Sequence, residues 1–154
     1  MSVAPGWDHR PLQRSGVTQG ITIRPVDSGQ IGAIVAVVVL GVITIFQLAL
    51  ALGVPLGAAA WGGSHPGVLP GRLRVASAVV GLVVYPLIAL LILATAGLIN
   101  VDVHGSGPTA MWFLTGFFTL GAIANFASRS KVERIWGPVT LVLAISTAVV
   151  AVNV

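Results

Sequence analysis

Residues 31–52, 76–98, 108–127 and 137–152 form four apolar runs without a single Asp, Glu, Lys, Arg, His or Cys. A helix needs roughly 20 apolar residues to cross the hydrocarbon of a bilayer. Three runs meet that length. The fourth is short and is expected to stand near-perpendicular or to end at the interface. A buried soluble helix is the competing explanation for any one run, but four in a chain of 154 residues argue against it. The chain is 8% charged and 56% hydrophobic, where soluble domains average about 25% charged. The reading is an all-α membrane protein, an up-down bundle of four transmembrane helices with a Gly/Pro-rich loop after the first.

Residues 1–30 read as a separate polar tail, disordered alone or ordered by a partner. They hold Trp7, Asp8, His9, Arg10, Arg14, Arg24 and Asp27 with Pro5, Pro11 and Pro25, and no apolar stretch placed as in a cleavable signal peptide. The net charge of +4 comes from this tail and the short loops. No long basic face exists, so nucleic acid is not an expected partner, whereas anionic lipid headgroups are. The absence of Cys excludes thiol, disulfide and Cys-ligated cluster chemistry.

With four spans, the loops after the first and third lie on one side. They carry Arg72, Arg74, Arg129, Lys131 and Arg134; the other side has only Arg10, Arg14 and Arg24 in the tail. Short-loop cations mark the cytoplasm, so the termini are expected outside a multi-pass plasma membrane. Trp61 and Trp136 then sit at the cytoplasmic interface and Trp112 at the opposite one, as an aromatic belt requires.

The stretch from Gly53 to Arg72 holds three Pro and six Gly. It is too apolar for a solvated loop, and irregular backbone cannot face lipid with its amides unpaired. It must lie at the interface or pack on the helices. Pro86 should kink the second span and free carbonyls one turn earlier. Pro108 and Pro138 suit helix starts, and Gly116, Gly121, Ala122 and Ala124 give the third helix a small packing face.

Gln47 and Asn125 are the strongly polar side chains inside the spans, both toward the loop-one and loop-three end. An amide in hydrocarbon must find partners, and a clamp between helices is the plain structural role. The functional alternative is a polar pocket lined by Gln47, Asn125 and His65, with Arg72, Arg74, Glu133 and Arg134 at its mouth to favour anionic headgroups or phosphate. Glu133 otherwise suits a helix N-terminus. His65 has no second His or carboxylate near it in sequence, and His104 with Asp102 lies across the membrane, so no metal site or cofactor is expected. Without a carboxylate, Lys or His inside a span, proton relays, Schiff bases and bis-His haem all lose their usual residues. No catalytic residue is assigned.

The stretches Gln47–Gly57, His65–Pro70 with Leu73 and Arg74, and Glu133–Pro138 resemble a functionally uncharacterised family of small four-helix integral membrane proteins of bacteria. The resemblance covers about residues 40–150 and implies fold and location without an activity. The expected role is a non-catalytic accessory subunit or scaffold that binds partner helices, a second copy or lipid. The alternative is a lipid or small-solute transporter or binding protein using the pocket near Gln47. An enzyme built on His65 ranks third.

Overall fold

The computed structural model describes residues 26–154, and among these the regular structure is entirely helical. The expectation of a disordered or partner-ordered tail falls mainly on residues 1–25, outside the described part. Four long helices follow: α1 (Ser28–Ala51), α2 (Gly71–Thr95), α3 (Gly107–Ala127) and α4 (Glu133–Val152), the last opening with a 3₁₀ turn over Glu133–Ile135. The shortest has 20 residues, about 30 Å at 1.5 Å per residue, enough to cross hydrocarbon. The chain is a four-helix membrane protein.

The helices outrun the apolar stretches because backbone hydrogen bonding continues into polar interfacial residues. α1 starts at Ser28, where Asp27 accepts from the Gln30 amide at 2.8 Å and the Gln30 side chain accepts from the Asp27 amide at 3.4 Å. This reciprocal capping box satisfies two of the amides that a helix start leaves open. α2 starts at Gly71 rather than 76, so Arg72 and Arg74 stand in its first turn and not in a loop. α4 gains Glu133 and Arg134 in the same way, which removes the expected shortness of the fourth span.

α1 and α2 end alike. Gly53 has φ 92° and Gly97 φ 68°, the left-handed conformation that only glycine adopts freely. Val54 N donates to Ala49 O and Gly53 N to Leu50 O; Leu98 N donates to Leu93 O and Gly97 N to Ala94 O. Both are Schellman endings. Pro86 acts through register: Val80–Val84 form a π turn in which the Tyr85 amide bonds to Val80 O. The wider turn accommodates a ring that would otherwise strike the carbonyl one turn back.

The core joins Ala33, Ala36 and Leu40 of α1, Ile92 of α2, Met111, Leu114 and Phe118 of α3, and Leu143 and Val150 of α4. α3 lies along α4, α4 along α1 and α1 along α2, whereas α2 and α3 hardly touch. The bundle is therefore open along one seam. Of the small face expected on α3, Ala122 is buried and Gly121 half-buried, but Gly116 and Ala124 point outward. Closer approaches occur elsewhere: a Cβ on Gly32 would stand 3.0 Å from Ser146 O, and one on Gly81 3.1 Å from Gln47 Cβ.

Between α3 and α4, Thr147 donates to Leu143 O at 2.9 Å and accepts from Thr115 Oγ1 at 3.0 Å, fully buried. Interhelical hydrogen bonds of this kind average about 0.6 kcal/mol in membranes. Thr147→Val should cost about that much by unfolding titration. A double-mutant cycle with Thr115→Val should return the coupling, and a null coupling would refute the bond's contribution.

Candidate functional site

Loop one (residues 52–70) and loop three (residues 128–132) are bonded together at one end of the bundle. Ser130 Oγ donates to Ala58 O at 2.6 Å, Trp136 Nε1 to Ala59 O at 2.9 Å, and Gly62 N to Glu133 Oε1 at 2.8 Å. Ser128 Oγ donates to Glu133 Oε2. Loop one folds back on itself, with Gly57 N bonded to Gly67 O at 2.9 Å, and seats Ala60 and Leu69 on Leu50. Gly57, Ala59, Ala60 and Leu69 are buried while most of the other loop residues are exposed, as suits a segment at the membrane interface. Trp61 takes φ 54°, unusual for a bulky residue; its indole N–H donates to Ser77 Oγ of α2 at 3.1 Å.

Beneath these loops lies a cavity of ≈ 370 Å³. Ile43, Phe46 and Gln47 of α1 and Trp136, Thr140 and Leu143 of α4 form its back. Val80, Val84 and Tyr85 of α2 and Phe117, Phe118, Gly121 and Asn125 of α3 form its sides. Ala59, Ala60, Trp61 and Glu133 close the loop end. Among the lining residues, Phe117 (55% exposed), Trp61 (41%) and Val84 (39%) also reach the outer surface. They mark the mouth, at the seam where α2 and α3 part. Phe46 packs against Trp136 at a tilt of 47°, with ring centroids 4.5 Å apart. The volume lies in the range of small-molecule pockets, and the walls are largely aromatic.

The seven residues singled out from the sequence separate into two groups. Gln47, Asn125 and Glu133 line this one cavity. His65, Arg72, Arg74 and Arg134 do not. His65 Nδ1 meets only its neighbour Ser64 Oγ, at 3.2 Å. Arg72 is exposed. Arg74 Nε donates to Ala51 O at 3.0 Å and Arg134 Nε to Ser128 O at 2.8 Å. These two cations cap the C-terminal ends of α1 and α3, where free carbonyls and the helix dipole favour positive charge. Arg129 borders a separate depression of ≈ 280 Å³ that shares Asn125 and Glu133.

The two amides also differ. Asn125 Nδ2 donates to Thr140 Oγ1 at 3.3 Å and clamps α3 to α4. The Gln47 amide lies within side-chain hydrogen-bond reach of the Tyr85 phenol, and its Oε1 is fully buried. Glu133 is buried and its carboxylate ties the two loops together instead of capping its own helix. Trp61 and Trp136 donate inward and line the cavity, and Trp61 and Trp112 are exposed, as an interfacial belt allows. The aromatic lining of Phe46, Tyr85, Phe117 and Phe118 was not foreseen. Its signal was the i, i+4 spacing of Phe117, Gly121 and Asn125, which puts them on one helix face.

Among the described residues no three His, Asp or Glu side chains approach closely enough to hold a metal ion. Asp102 and His104 pair at 3.7 Å in loop two, both exposed. The fold and this site define a class, a four-helix membrane protein with a ligand-sized cavity opening sideways between two helices. No protein-family model, curated protein or solved structure matches the chain.

Proposed function

We propose that the chain is a non-catalytic membrane protein that binds an amphiphile in the cavity between α2 and α3. The observation that carries this reading is an aromatic-walled cavity of ≈ 370 Å³ whose rim, at Phe117 and Val84, reaches the outer surface. Under the positive-inside rule, loops one and three face the cytoplasm, so the cavity would draw from the inner leaflet. The accessory-subunit reading is the second: partner helices would meet the outward face of α3, where Phe113, Phe117 and Leu120 are exposed.

Filling the cavity tests the first reading. A Cβ added to Gly121 meets only Thr140 Cγ2, at 3.9 Å, so Gly121→Leu has room to project into the space. The variant should stay helical and monodisperse while losing co-purifying amphiphile at least tenfold by native mass spectrometry. Retention of the same bound species would remove the cavity as the site.

A further inference from the structure

Resting on the cavity reading above, we propose that the occupant's head is a singly charged quaternary ammonium, held between the rings of the cavity and the carboxylate at its loop end. Glu133 is buried at 8% exposure, yet among the described residues it has no cationic partner. Buried carboxylates are seldom left without one. Arg134 is bonded to Ser128 O, and Arg129 borders the neighbouring depression instead of the cavity. No Arg, Lys or His lines the cavity, so Glu133 is the charged group in its wall.

The rings favour the same sign of ligand. Phe46, Trp61, Tyr85, Phe117, Phe118 and Trp136 line the cavity, and an aromatic ring offers its negative face to a cation. The pull of Glu133 acts through space in a medium of low dielectric, so it needs no contact. Hydrogen bonding separates the kinds of cation. Glu133 Oε1 and Oε2 already accept from Gly62 N and Ser128 Oγ, and Thr140 Oγ1 accepts from Asn125. A primary ammonium brings several N–H donors and a tight water shell, which these groups would replace poorly. A trimethylammonium has no donor to satisfy and lays its methyl groups against the rings. A phosphate beside the cation, as in a phosphocholine lipid, would find no Arg or Lys in the wall and would be repelled by Glu133. The mouth is apolar at Val84 and Phe117, so an alkyl tail can run from it into the bilayer.

The experiment uses the full chain in micelles of an uncharged maltoside and reads tryptophan quenching, since Trp61 and Trp136 line the cavity. The probes share one brominated alkyl chain and differ in the head: trimethylammonium, its neutral tert-butyl isostere, primary ammonium and phosphocholine. The trimethylammonium should give a saturable component roughly tenfold tighter, or more, than each of the others. Glu133→Gln, which keeps the size and removes the charge, should weaken it about tenfold and leave the isostere unchanged. Equal binding of the isostere, the primary ammonium or the phosphocholine would overturn the assignment while leaving the cavity reading intact. So would an unaltered trimethylammonium affinity in the variant. If no probe quenches saturably, the cavity reading itself fails. The comparison of heads on the unmodified chain stands even if the variant does not fold.

Discussion

Gly57→Ala is expected to destabilise the protein by about 3 kcal/mol, the upper end of the usual overpacking cost. A Cβ there would lie 2.3 Å from His65 O and 2.8 Å from Gly67 O. Both are backbone atoms, which cannot swing aside as a side-chain end does. The Gly57 N to Gly67 O bond that closes loop one must open, and with it the seating of Ala60 and Leu69 on Leu50. The damage should stay at one end of the bundle, because the Thr115–Thr147 bond lies farther along α3 and α4. Unfolding titration should show the loss, with a red shift of tryptophan emission as Trp61 and Trp136 are released. An unshifted midpoint would mean that the loop is not docked as described.

The second large effect belongs to Glu133. Glu133→Leu removes the acceptor of Gly62 N and the partner of Ser128 Oγ together, and should cost about 2–3 kcal/mol, the range for hydrogen bonds to a charged group. Glu133→Gln keeps the size, one acceptor for Gly62 N and a donor for Ser128 Oγ, so its cost should stay below about 1 kcal/mol. Comparing the two midpoints separates the roles. If Gln is as damaging as Leu, the negative charge matters more than the hydrogen bonds that join the loops.

Much of the fold was legible in order along the chain. The apolar runs announce the spans, while the capping pair Asp27 and Gln30 and the glycines that close α1 and α2 are local signals that only the structure brought out. The start of α2 was misjudged because apolarity reports which residues face hydrocarbon, not how far the hydrogen-bonded backbone extends. Of the candidate site residues, Gln47, Asn125 and Glu133 meet at one cavity. Gln47 and Asn125 stand out in the sequence because an amide in hydrocarbon has few alternatives to a partner. The arginines are not so readable, since a cation near a span end looks the same in one dimension whether it meets a ligand or a helix end.

What the sequence by itself determined is therefore the helical class, the number of spans and the end of the bundle that gathers charge, because span length and hydropathy are properties of contiguous residues. Only the tertiary structure decided that α2 and α3 part, that Arg74 and Arg134 cap other helices, and that Glu133 crosses to loop one while Gln47 turns to the Tyr85 phenol. Those outcomes depend on which groups meet across separations such as the 71 positions from Gly62 to Glu133, and packing geometry, not local preference, sets such meetings.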